Sequence, residues 1–195
     1  MTQMIEILRE EHRNIEKLLL VLEQELTIFD RRERPDYEVM RAVIDYFQDY
    51  PDRCHHPKED LIFARLQARD PDGAANIGDL EAEHRKGAQR LWRLAHTVES
   101  ILTDHDLLRE TFDKVVHDFI DSERQHIDME EHLFFPAALK TLRPEDWTAI
   151  EARLNDQDDP LFSLQTEAKF NALRQRILQW EQENEAERAL SASPG

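Results

Sequence analysis

CHHPKEDLIF, residues 54–63, sets two histidines, a lysine, a glutamate and an aspartate directly against Leu61, Ile62 and Phe63. His55 and Glu59 are four residues apart, which puts both side chains on one face of an α-helix, close enough to hold one metal centre. Pro57 lies between them and removes one helix hydrogen bond, to the carbonyl of Arg53. A local bend that aims imidazole and carboxylate together is therefore expected. The pattern returns 71 residues later in QHIDMEEHLFF, residues 125–135, as His126 and Glu130. In both copies an acid follows the glutamate (Asp60 and Glu131), and a phenylalanine (Phe63 and Phe134) falls eight positions after the histidine.

Outward from these two stretches the chain is helical in period. Apolar positions run in steps of three and four through Ile5, Leu8, Ile15, Leu19, Leu22, Leu26 and Phe29. A second stripe holds Met40, Ile44, Phe47, Ile62 and Leu66, and the Asp70-Pro71-Asp72-Gly73 sequence predicts a turn after it. A third runs through Ile77, Leu80, Gly87, Leu91, Leu94, Val98 and Ile101. The fourth holds Leu108, Phe112, Val115, Phe119, Ser122 and Leu133. Long amphipathic segments with short joints predict an all-α fold, an up-down-up-down four-helix bundle with additional C-terminal helices. The expected division is a bundle over residues 1–142, a helical extension over 143–190 and a disordered tail over 191–195. Two further stripes mark the extension, Trp147, Ile150, Leu154 and then Phe170, Leu173, Ile177, Trp180, and they need burial against the bundle or a second copy of the chain. A homodimer through the C-terminal helices is one expectation for them.

Each of the four long stripes is interrupted by a histidine: His12, His55, His84 and His126. Glu11-His12 recurs as Glu83-His84, so the halves of the chain are offset by 72 and 71 residues at their paired histidines. Counted from the joints between helices, the four histidines sit at nearly the same depth. At about 1.5 Å per residue they fall within a few Å of one level. Two equivalent hairpins facing each other would build one pseudo-symmetric site for two metal ions. Four neutral imidazoles and two carboxylates, Glu59 and Glu130, suit iron, manganese or zinc. With both carboxylates and an oxo or hydroxo group bridging, about one open position per ion would remain for a small ligand.

Composition bounds the partners. A net charge of −17 argues against nucleic acid and against an anionic membrane surface, both of which select basic patches. Cys54 is the single cysteine, which excludes an intramolecular disulfide and a cysteine metal cluster. No apolar run is long enough for a membrane span, and the first residues lack the pattern of a signal peptide, so a cytoplasmic location is expected.

The set His12, His55-x-x-x-Glu59, His84, His126-x-x-x-Glu130 resembles the hemerythrin-like family of HHE cation-binding domains over about residues 3–140. EHRNIEKLL, HHPKEDLIF and MEEHLFFPAAL are similar to that family's local contexts. The resemblance implies a non-haem pair of iron ions bridged by the two carboxylates, with zinc or manganese as alternatives, that binds dioxygen or a related diatomic or peroxide ligand. Oxygen-carrying members have a fifth histidine four residues after the third-helix histidine, where this chain has Ala88. That departure turns the expectation from oxygen carriage towards sensing, peroxide or nitric oxide chemistry, or iron handling. The leading reading is a binding or sensing module. A di-iron enzyme acting on peroxide or nitric oxide, and an iron storage or donation protein, are the alternatives.

On a straight helix His56 points about 100° away from His55, and His132 also leaves the inward face, so both are expected outside the site. His96, His105 and His117 are expected at the surface. Glu16 is either an additional carboxylate for one ion or a solvated flank. Cys54 is either redox-active or a small buried core thiol. Ile15, Pro51, Gly87 and Ser122, one turn from the histidines, predict a small pocket.

Overall fold

The computed structural model describes residues 2–103, 109–153, 159–162, 166 and 168–191, and for residue 181 and residues 183–191 the backbone alone. The expectations for His105, Leu108, Leu154 and residues beyond Ser191 fall outside these. Every regular element among the described residues is helical, and no helix among them is long and apolar enough to cross a membrane. Helix α1 (Gln3–Asp30) is followed by α2 (Tyr37–Tyr50), which runs through a π turn, Pro51–His55, into α3 (His56–Arg69). Short α4 (Pro71–Ile77) precedes α5 (Leu80–Leu102). Helix α6 (Arg109–Met129) passes through a second π turn, Glu130–Phe134, into α7 (Phe135–Thr141). Helix α8 (Pro144–Glu151), a 3-10 turn at Ala168–Phe170 and α9 (Asn171–Ser191) complete the order.

Helix starts follow local chemistry. Asp36 accepts hydrogen bonds from the backbone N–H of Glu38 and Val39, both at 3.1 Å, and Asp79 accepts one from Ala82 at 2.9 Å. The predicted turn at residues 70–73 is instead the start of α4. Asp70 caps it by accepting the Gly73 N–H at 2.9 Å, and Pro71 fits the first helical turn, where no N–H is needed. Gly78, at φ +102°, then makes the corner into α5, a backbone conformation that glycine adopts without strain.

Helix α1 packs against α2 and α6, and α5 packs against the same two helices, so these four close a ring of neighbours. Below them α3 packs on α5, α7 and α8. Most described residues of the four long stripes are buried. One apolar cluster, including Ile15, Leu22, Phe47, Leu94 and Phe119, fills the end near the α1–α2 joint. A second, including Leu8, Ile62, Leu66, Phe134 and Trp147, fills the opposite end. His12, His55, Glu59 and Glu130 are buried between the two.

Both π turns are closed by a five-residue hydrogen bond, His56 N–H to the Pro51 carbonyl and Phe135 N–H to the Glu130 carbonyl. Each is followed by a proline, Pro57 or Pro136. A π turn inserts a residue and rotates everything after it around the axis. Leu133, expected on the inward stripe, is therefore 54% exposed, and Phe134 takes the buried place. Its ring meets Phe63 edge-on at 5.7 Å, joining the two phenylalanines that the repeat singled out.

Several described apolar residues after Leu142 pack within the chain, while Leu178 is exposed. Trp147 and Ile150 enter the second cluster; Phe170, Leu173 and Ile177 enter the first, where α9 lies on α1 and α2. Replacing the fully buried Leu173 by Ala is expected to cost ~2–4 kcal/mol in urea-denaturation stability. A change below ~0.5 kcal/mol would contradict the packing of α9 on the helical ring.

Candidate metal centre

Four separate helical segments deliver the six predicted residues to one place: His12 from α1, His55 from the first π turn with Glu59 from α3, His84 from α5, and His126 from α6 with Glu130 from the second π turn. His55 Nε2 lies 3.2 Å from Glu59 Oε1, and His12 Nε2 lies 3.6 Å from the same oxygen and 3.3 Å from Glu130 Oε2. On the other side His84 Nε2 is 3.4 Å from Glu59 Oε2 and 3.9 Å from Glu130 Oε1, while His126 Nε2 is 3.2 Å from Glu130 Oε1. Each carboxylate thus turns one oxygen to the His12–His55 pair and the other to the His84–His126 pair. That division is what two bridging carboxylates require.

The donor set fits a metal on physical grounds. Glu59 and Glu130 are fully buried, and none of their four oxygens has a hydrogen-bond partner. His12 Nε2 and His84 Nε2 are buried and unpartnered as well. Leaving one such polar group unsatisfied costs about 1–3 kcal/mol, and more when it is charged. Cations at the centre would satisfy all of them at once. Ligand atoms ~2.1 Å from one ion and at right angles lie ~3 Å apart, close to the shorter contacts here.

Protons take part of that role in the bare protein. Burial would lower the pKa of His12, but the Glu130 and Glu59 carboxylates outweigh it and raise it to about 10. In the same way Glu59 and Glu11 outweigh burial at His55, and Glu130 and Glu59 do so at His84, raising each to about 9. Burial pushes His126 the other way, below its ordinary value. Burial would also raise Glu59, yet the imidazoles of His55, His12 and His84 hold it well below the usual carboxylate range.

The outer nitrogens are oriented unequally. His12 Nδ1 lies 2.9 Å from Glu131 Oε1, and Arg9 Nε donates to the other oxygen of Glu131 at 3.0 Å. The corresponding pair in the other half is His84 Nδ1 and Asp60, 3.7 Å apart. So the acid after each ligand-spaced glutamate faces an imidazole of the opposite hairpin. Sequence reasoning did not find Glu11, which is buried, accepts from His55 at 2.8 Å and from Tyr50 at 2.9 Å, and pairs with Lys58. Its repeat mate Glu83 is half-buried and paired with Lys86, and His126 Nδ1 is buried without a hydrogen bond. The repeated Glu-His dipeptide was the available signal, but only one copy uses it this way.

A cavity of about 260 Å³ opens beside the centre and reaches His55, His84 and His126. Its wall includes Ile15, Pro51, Gly87 and Ser122, the four residues predicted to line a pocket, together with Glu123. His56 also lines it, contrary to the outward direction expected from a straight helix. Its ring stacks on His84 at 3.9 Å with the planes 16° apart. His132, His96 and His117 are exposed as expected, and Ala88 offers no donor. Glu16 accepts from Nε and Nη2 of Arg124 and is not among the residues grouped at the centre. Cys54 is buried, and burial pushes its thiol up, which favours a core thiol over a reactive one.

A family model described as the hemerythrin HHE cation binding domain matches residues 3–138. Comparison with curated proteins and with solved structures gives no match.

The proton load has a measurable consequence. Stability that His12, His55 and His84 gain from their raised pKa values is fully present below about pH 6.5, their unfolded value, and is lost as pH rises through 9–10. The melting temperature of metal-free protein should therefore fall between about pH 7 and pH 10. Loading at pH 7.5 should release about three protons per chain, read by calorimetry in buffers of different ionisation enthalpy. A flat melting profile with no proton release would contradict this charge assignment.

Proposed function

The chain belongs to the hemerythrin family of HHE cation-binding domains, and on that premise we propose that it holds two iron ions bridged by Glu59 and Glu130 and uses them to bind or sense dioxygen or a related small ligand. Residues 1–142 then form an up-down-up-down four-helix bundle carrying the site, and residues 143–190 an extension laid on it. The observation that carries this reading is the division of each carboxylate between two imidazole groups. When bound, an iron pair supplies exchangeable coordination positions and electrons for a small oxidant or diatomic molecule. The chain's own part is to hold and shield that pair. His12, His55, His84 and His126 present nitrogens, and Glu11 and Glu131 fix two of the rings. The two apolar clusters lie on either side of the layer that holds these groups. The cavity past Gly87 is the way in for a ligand of a few atoms.

A second reading, catalysis on peroxide, rests on one residue. Glu123 lines the cavity, and burial together with the Glu130 charge pushes its carboxyl up to about 7. A carboxyl poised there can give or take a proton at neutral pH, which a simple ligand-binding site does not need. Replacing Glu123 by Gln separates the two readings. If the protein is an enzyme, peroxide consumption should fall by about 100-fold or more while azide binding persists. Unchanged turnover would remove Glu123 from the chemistry.

The binding reading is tested with iron-loaded protein under air and then under argon. Charge-transfer bands that appear with oxygen and reverse on its removal are expected, whereas irreversible bleaching or zinc as the native metal would overturn the reading. A Cβ on Gly87 would meet Glu123 Oε1 at 3.5 Å, so Gly87→Leu places its remaining atoms in the cavity. Azide association should slow by ~10-fold, equivalent to ~1.4 kcal/mol on the barrier. Unchanged kinetics would mean that the ligand enters elsewhere.

A further inference from the structure

His56 was expected to leave the site, and the first π turn is what brings it back. The turn ends at His55, and with one residue more than an α turn it sets the start of α3 at a different angle about the axis. The imidazole of His56 then lies flat against His84, and His126 stands across from it at 6.4 Å with the ring planes 79° apart. His56, Glu59, His84 and His126 each offer one ligand atom, and these atoms all lie within 4.8 Å of one another.

We infer that His56 is a further metal ligand, binding through Nε2 the same ion as His84 and His126 and completing that half of the centre from α3. This rests on the two-ion reading proposed above. Three observations carry it. His56 Nδ1 is 3.0 Å from Asp52 Oδ1, and a carboxylate only accepts, so the ring proton sits on Nδ1 and the lone pair on Nε2. A carboxylate behind the outer nitrogen is the arrangement that orients metal-bound histidines, and His55 with Glu11 and His12 with Glu131 have it here too. Finally, the position one turn after His84 is Ala88, so α5 supplies no second nitrogen to that side. With His56 the His84–His126 side has three imidazoles and two carboxylate oxygens, against two imidazoles and two oxygens on the His12–His55 side. The two ions are then chemically unequal: the His12–His55 ion has fewer protein donors.

Cobalt(II) titration of the metal-free chain tests this through visible d–d bands, independently of any activity. Wild type should take up two ions. His56→Ala should leave one binding step at wild-type affinity and weaken the other by at least ~10-fold. His56→Phe keeps a ring to stack on His84 but has no donor, and it should weaken the same step equally. Both steps at wild-type affinity in His56→Ala, or in His56→Phe alone, would overturn the assignment, the latter by showing that stacking is the whole contribution. A wild-type chain that takes up fewer than two ions would overturn the two-ion reading and this assignment with it. Metal-free melting curves of all three proteins should coincide closely, since His56 is 20% exposed and outside both apolar clusters.

Discussion

Two carboxylates buried side by side, with no hydrogen-bond donor on any of their oxygens, set the terms for the rest of this chain. Glu59 and Glu130 lie between the two apolar clusters, with the cavity that reaches His55, His84 and His126 beside them. Removing one partner from such a buried charged group is far costlier than never burying it. The fold answers by surrounding the pair with imidazoles, four on the inward stripes and a fifth from the start of α3. The carboxylates raise the pKa values of His12, His55 and His84, and those imidazoles in turn hold Glu59 well below the usual carboxylate range. Cations bound at this centre would take the place of imidazole protons with charge of the same sign. Metal loading and stability are therefore linked through the same six side chains.

The internal repeat makes the centre nearly symmetric, with a few departures. Glu131 with His12 and Asp60 with His84 are true mates. Glu11 with His55 has none, because Glu83 turns to Lys86 at the surface. The first half is thus tied down through Glu11 to Tyr50 and Lys58. In the second half His126 Nδ1 has no such partner, and the cavity and Glu123 adjoin it there. The π turns are also out of register: one lies ahead of Glu59, and the other begins at Glu130 itself.

Much of this was legible in the residues because helical period and metal spacing are both short-range signals. Ile5 through Phe29 and Met40 through Leu66 are buried as their steps of three and four require. The common depth of His12, His55, His84 and His126 needed only the rise per residue. What escaped were features set by rotation instead of by spacing. A π turn reads in sequence like an uninterrupted helix, so Leu133 was placed inside and His56 outside. Pro57 announced a disturbance but neither its type nor its direction. Asp70-Pro71-Asp72-Gly73 holds turn residues that also make a capped helix start, and the choice fell to the Asp70 side chain. Glu11 was visible only as half of a repeated dipeptide, and its contact with His55 crosses 44 residues of chain.

The central claim is that Glu59 and Glu130 each serve two ions at once. Metal analysis of purified wild type beside Glu59→Gln tests it most directly, with circular dichroism to confirm that both remain helical. The account predicts two ions per wild-type chain and the joint loss of both in the variant, since both groups of imidazoles share that carboxylate. One ion retained at full occupancy in Glu59→Gln, or a wild type that holds only one, would contradict it.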